Sequence, residues 1–178
     1  MEFHHVSVMP EECMNGLAIR EDGIYVDATT GGAGHSRLIA ERLCRQGRLI
    51  CIDRDDDALR VARDRLSDMA PRIDFMKSNF SGIKAVLQQL EIPAIDGILF
   101  DLGVSSHQID VAERGFSFRN DAPLDMRMDR AERLSAYEVV NQYPEQRLRE
   151  LIGVYGEERY AGRIASAIVR AREEKPIE

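Results

Sequence analysis

The chain has 178 residues, 44% hydrophobic and 31% charged, with 24 Lys and Arg against 31 Asp and Glu for a formal net charge of −7. That length supports one ordinary domain with a real core, or one domain and part of another. The acidic balance gives no global sign of a nucleic-acid binder, no run is apolar for the length of a membrane span, and the N-terminus MEFHHVSVMPEE lacks a basic-then-apolar leader.

Adjacent His4 and His5 could hold a metal or a phosphate, but a solvated terminus is the simpler reading. Pro10-Glu11-Glu12 reads as the first turn of a short helix, with proline at its first position and acids near the positive end. Gly23 to Ala28 (GIYVDA) is a short apolar run bounded by glycine, as a buried strand reads. The run HSRLIAERLCRQ then places Leu38, Ile39 and Leu43 on one helix face, closed by Gly47. The cysteines, Cys13, Cys44 and Cys51, form no C-x-x-C pair. They read as small buried hydrophobes in a reducing compartment, so the cytoplasm is the expected location.

Between that strand and helix lies the stretch that the chain is organised around, VDATTGGAGHS from Val26 to Ser36. Gly31, Gly32 and Gly34 let the backbone turn tightly and let a ligand approach with no Cβ in the way. Taken alone, a glycine turn with no ligand stays open. Two acids sharpen the reading. Asp53 ends a second strand-like run, RLICID, nineteen positions after Gly34, where an acid commonly accepts hydrogen bonds from a ribose diol. Its competing reading is the N-cap of the helix that starts near Asp55. Asp27, at the end of the first strand, would repel a pyrophosphate but attract an ammonium or sulfonium. The third glycine of the dinucleotide pattern is replaced by Arg37. Adenosine with a cation therefore beats NAD, and S-adenosylmethionine is that ligand.

Strands and helices go on alternating. Leu59, Ala62, Leu66 and Met69 mark a helix over Asp55 to Met69, and Ile73 to Met76 a third strand. Asn79-Phe80 forms a turn, Ile83, Val86, Leu87 and Leu90 a helix, and Ile95 to Gly103 a fourth strand ending in Asp101. Such alternation implies a parallel sheet with right-handed crossovers, whose ligands bind beyond the carboxyl ends of the strands. Asp27, Asp53, Phe80 and Asp101 all fall at those ends. Two regions follow: an α/β domain over 1–103, then an irregular segment and a helical region over 104–178. The irregular part runs to Asp129 and carries Phe116, Phe118, Leu124, Met126 and Met128, too much apolar surface for a disordered segment. Ser135 to Glu138 is a capping box. Pro144 opens another helix, Gly156 breaks it, and Tyr160, Ile164 and Ile168 stack along a last one.

DLGVSSHQID, RGFSFRNDAPLDMRMD and YGEERYAGRIASAIV, behind VDATTGGAGHS and IDRD, resemble one family from His5 to Pro176. It is the bacterial small-subunit ribosomal RNA methyltransferase that modifies the exocyclic amine, N4, of a cytosine. The resemblance implies a class I, Rossmann-like methyltransferase fold with a helical insert, and S-adenosylmethionine as cofactor. It places cofactor contacts at Ala33, Gly34, His35, Asp53, Phe80, Asp101 and Gln108, and leaves Asp101 as the candidate for activating the amine. His35 is expected to cap its helix and touch the cofactor through its backbone. The implied partner is small-subunit ribosomal RNA or the assembled subunit, with no membrane. Family members run well beyond this length, so the chain is expected to be an N-terminal fragment with an incomplete sheet. Its fourth strand would then be an apolar edge open to self-association.

Two other functions compete: a non-catalytic module that holds cofactor or RNA without turnover, and an NAD-linked oxidoreductase. Arg114, Arg119, Arg127, Arg130 and Arg133 alternate with Glu113, Asp121, Asp125, Asp129 and Glu132. They read equally as an RNA patch or as internal ion pairs that hold the irregular segment.

Overall fold

Alternate residues of the strands sort onto two faces, and that sorting sets the architecture. The computed structural model describes residues 7–178, so His4 and His5 lie outside the described residues. Strands β1 (Ile24–Asp27), β2 (Arg48–Asp53), β3 (Arg72–Lys77) and β4 (Gly97–Leu99) form one sheet of order β3-β2-β1-β4. All three pairings are parallel, with Val26 opposite Ile50 and Ile98, and Ile52 opposite Met76. Tyr25, Leu49 and Cys51 bury on one face against Met14 of α1 (Pro10–Leu17), Ile39 of α2 (Gly34–Ala40) and Ala62 of α3 (Asp56–Arg65). Val26, Ile50 and Ile52 bury on the other, against Val86 of α4 (Ile83–Gln89).

Handedness explains the split. From β1 through β3 the chain steps outward in one direction, so right-handed crossovers put α2 and α3 on the same face. The return from β3 to β4 passes back over β2 and β1, which puts α4 on the opposite face. The direction reverses between β1 and β4, and a doubly wound sheet opens its crevice beyond the strands' carboxyl ends at that point.

Three local expectations are corrected. The fourth strand pairs only over Gly97–Leu99, because β1 ends at Asp27 and Asp101 N–H turns to the Thr29 hydroxyl at 2.6 Å instead of to a strand. Helix α2 stops at Ala40, seven residues before the glycine expected to close it. Gly47 serves a close approach, since a Cβ there would sit 2.7 Å from the Glu21 carbonyl. In the last helix, α8 (Ala161–Glu174), the buried residues are Ala161 and Ala165, while Tyr160 and Ile164 face outward.

The chain divides into two compact units, one up to His107 and one from Gln108 to Glu178. The division falls four residues after the 103/104 boundary expected from sequence, inside the short helix α5 (Ser106–Asp110). The second unit holds α6 (Ala136–Gln142), α7 (Glu145–Val154) and α8. Ser135 and Glu138 form the capping box at the start of α6. The irregular segment before it is pinned by a buried arginine: Arg114 donates from Nη2 to the carbonyls of Arg127 and Met128, both at 3.0 Å. Gly115, at φ +71°, lets the chain pass close under the Pro123 carbonyl. Phe118, expected to add to the packed surface, is fully exposed.

Leu49 is wholly buried between β2's neighbours, so Leu49→Ala is expected to cost about 2–5 kcal/mol in urea unfolding. Phe118→Ala should change stability by no more than about 0.5 kcal/mol. Equal losses at the two positions would contradict the assigned core.

Candidate functional site

The turn between β1 and α2 is built from its hydroxyls and carboxylates as much as from its glycines. Thr30 donates both its N–H and its hydroxyl to the Ile52 carbonyl, each at 3.1 Å, which ties the turn to β2. Gly31 (φ +49°) and Ala33 (φ +63°) take left-handed backbone conformations to make the reversal. Ala33 is the N-cap of α2 and offers no side-chain cap. Gly34 follows it, and a Cβ there would run into the Ser7 hydroxyl. Arg65 closes the outside of the turn by donating to the Gly32 carbonyl at 2.7 Å.

Two carboxylates hold this turn in place. Asp27 is 1% exposed and accepts from the Ser36 hydroxyl at 2.6 Å and from Thr29 N–H at 3.2 Å. Burial raises its pKa above the ordinary value; those two hydrogen bonds and nearby His35 oppose the rise. The Cys51 thiol donates to Ser36, and burial, together with the charge of Asp27, pushes it up to about 12. Cys51 is thus an inert part of the core. Asp53 accepts from Gly31 N–H at 2.8 Å through one oxygen and from Asp55 N–H at 2.9 Å through the other. Burial raises this carboxyl as well, against the hydrogen bonds from Asp55 and Gly31. The N-cap of α3 is Asp55, which accepts from Asp57 N–H at 3.0 Å, so Asp53 is not spent on capping.

The remaining predicted residues separate into those joined to this turn and those that are not. Asp101 reaches it through its own N–H, bonded to Thr29, and its carboxylate lies 3.8 Å from Nδ1 of His35. His35 is buried and does not cap α2; its Nε2 lies 2.8 Å from the Val8 carbonyl, and since a carbonyl only accepts, that nitrogen is the donor. Phe80 opens a single 3₁₀ turn after β3, capped by Asn79, whose side chain accepts from Ser81 N–H at 2.9 Å. Its ring is 42% exposed and packs edge-to-face on Phe100 at 5.9 Å, so it is not an ordinary core aromatic. Gln108 is buried and belongs to the second unit. Thr29, Thr30, Ser36 and Arg65 were missed from sequence. Hydroxyls flanking a glycine turn were the available signal for three of them.

The arginines of the irregular segment serve it internally where the structure fixes them. Arg127 makes a two-pronged pair with Asp125, both contacts at 2.8 Å, and donates to the carbonyls of Arg130 and Glu132. The Asp125 carboxyl is held below the usual range by that guanidinium.

A doubly wound parallel sheet whose glycine turn and acids meet at the reversal of strand order defines a Rossmann-like fold of the class I methyltransferase type. Residues 2–178 match the MraW methylase family, and the chain belongs to it. It is 52% identical to the ribosomal RNA small subunit methyltransferase H of Brevibacillus brevis, over 100% of this chain and 57% of that protein. It is 53% identical to the protein of the same name from Clostridioides difficile, with the same coverage. The chain therefore spans a little over half the length of the curated relatives it matches. A solved putative rRNA-methylase from Clostridium thermocellum aligns with TM-score 0.49 and 18% identity over 57% of this chain and 54% of that one. No helix among the described residues is long and apolar enough to cross a membrane.

The buried carboxyl of Asp27 makes stability depend on pH. Its folded pKa lies above the ordinary 3.8, so this group's contribution is fully present below 3.8 and is lost as pH rises through the folded value. Asp27→Asn removes that titration while keeping a side chain that can pair with Ser36 and Thr29. The unfolding free energy of the native chain minus that of the variant should fall as pH rises from about 4, then level off. Urea titrations across that range measure it, and a difference that grows with pH would contradict the assignment.

Proposed function

We propose that the chain carries the cofactor-binding part of an S-adenosylmethionine-dependent methyltransferase acting on the exocyclic N4 amine of a cytidine in small-subunit (16S) ribosomal RNA. The observation that carries the reading is the set of groups at the turn: carboxylates and a half-open aromatic, with the described arginines beside it, Arg37 and Arg65, already bonded to protein groups. Arg37, in the place of the third glycine, is bonded in two-pronged fashion to Asp68 at 3.1 and 3.2 Å, and Arg65 to the Gly32 carbonyl. Asp27 and Asp53 add negative charge there, which suits a cationic ligand and opposes an anionic one. The names of the matched relatives support the RNA substrate.

When bound, the cofactor supplies a methyl group activated by a sulfonium. The protein's share is positioning, which dominates an in-line displacement. Asp53 keeps lone pairs beyond its two backbone bonds and would accept from ribose hydroxyls. Phe80 would lie on the adenine face, and the backbone of Ala33, Gly34 and His35 would line the turn, with Gln108 as a further contact. The cytosine amine is a poor nucleophile because its lone pair is delocalised into the ring. Asp101, accepting an N–H from that amine, would favour the pyramidal, reactive form. A cytosine within a helix must first leave the stack.

Calorimetry with S-adenosylhomocysteine and with NAD tests the reading. The first should bind and the second should not, and Asp53→Ala should weaken binding by about 1.5–3 kcal/mol. An unchanged affinity would remove Asp53 from the site, and NAD binding would bring back an oxidoreductase. Methyl incorporation into small subunits tests turnover, and cofactor binding without it would leave a binding module.

The partner reading includes a second copy of the chain. Among the described residues β4 pairs with β1 alone, and Phe100 and Leu102 beyond it are 46% and 68% exposed. Such an edge offers unpaired N–H and C=O groups to another strand. Sedimentation should show mass rising with concentration, and a monomer throughout would rule the contact out.

A further inference from the structure

Some arginines of the helical unit are spent on neighbouring groups, and three others gather at one place. Arg147 pairs with Glu150 at 3.0 Å, and Arg172 donates to the carbonyls of Val140 and Tyr143. Arg149 on α7, Arg159 in the connection and Arg163 on α8 have no carboxylate within ion-pair distance among the described residues. They converge on a cavity of about 530 Å³. The Arg159 guanidinium lies 4.5 Å from the centre of the Tyr160 ring and that of Arg163 5.9 Å from it. Arg149 reaches across from α7 to lie alongside Gly162, at 3.7 Å from where a Cβ would stand. The acid in this cavity, Glu158, is turned to the backbone, where it accepts from Tyr160 N–H at 2.7 Å.

We infer that this cluster binds the phosphodiester backbone of single-stranded RNA; the inference rests on the RNA reading above and adds where and by what the strand is held. Guanidiniums are planar, always charged and matched to phosphate oxygens, and stacking on an aromatic ring pre-orders them. Tyr160 is 47% exposed beside the arginines, and Tyr155, which follows α7, is 82% exposed. Exposed aromatics next to unpaired cations are what a single strand uses, phosphates on the charges and bases on the rings. An acidic protein surface would engage the charges but leave the rings unused, so RNA is the better fit.

The test uses the full chain and a synthetic single-stranded RNA of uniform uridine sequence, with polyglutamate as the competing polyanion. For three phosphate contacts on a single strand the log–log salt slope is about −2, a loss of affinity of roughly 15–20-fold between 50 and 200 mM salt. Replacing Arg149, Arg159 and Arg163 together by Gln should remove that slope. Replacing them by Lys should keep the slope at lower affinity, a pattern that a purely structural role does not produce. Thermal unfolding and S-adenosylhomocysteine binding should be unchanged in both variants. RNA binding that survives the triple Gln substitution with its slope intact would overturn this site and leave the RNA reading standing. Binding of polyglutamate in preference to the RNA would overturn both. Loss of S-adenosylhomocysteine binding by the native chain, with the salt slope present, would overturn the methyltransferase reading alone.

Discussion

A carboxylate without solvent sits at the end of the central strand, and the turn above it is shaped by satisfying it. Burying Asp27 unpaired would cost several kcal/mol, so its oxygens must find donors within reach. One donor, Ser36, comes from the first turn of α2 and the other, Thr29 N–H, from the loop. Strand, loop and helix are thereby locked together: moving the loop strips a buried acid of a partner. Asp53 repeats the arrangement one strand over by accepting from Gly31. Thr29 extends it to the other side, receiving the N–H of Asp101. Three strand ends are thus pinned to one glycine turn by polar groups the turn itself supplies, and a ligand there would meet a preformed frame.

The parallel sheet was readable because its signal is redundant. Apolar runs, amphipathic helices and the bar on left-handed crossovers all point to one topology, and the same rule puts the strand ends on one edge. What failed to show was anything set by a partner distant in sequence. The length of β4 depends on where β1 stops, not on the nine-residue apolar stretch IDGILFDLG. The outward turn of Tyr160 and Ile164 depends on α7, which takes the small side of α8, Ala161 and Ala165, against itself. A periodicity argument selects the bulkiest stripe, and close helix packing can select the smallest.

The site shows the same division. Asp53 and Phe80 were legible because position at a strand end is a local property. What caps α3 and what covers the Phe80 ring were not, since each is set by a neighbour, another acid in the first case and Phe100 in the second. Asp55 takes that cap, and the Phe100 contact leaves Phe80 part open.

Total charge in the composition does not locate a basic site. Arginines are densest between Arg114 and Arg133, which made that segment the natural place to look for an RNA surface. Acids are just as dense there, and Arg114 and Arg127 are consumed holding the backbone. The arginines around Tyr160 are fewer, but among the described residues none of them forms an ion pair, and the one acid in their cavity, Glu158, is turned to the backbone. At physiological ionic strength fields fade over about 8 Å. A phosphate approaching Arg159 therefore responds to the handful of charges inside that radius and not to a net −7 spread over the chain. An acidic protein can present a basic site, and what decides it is which cations have been left without partners.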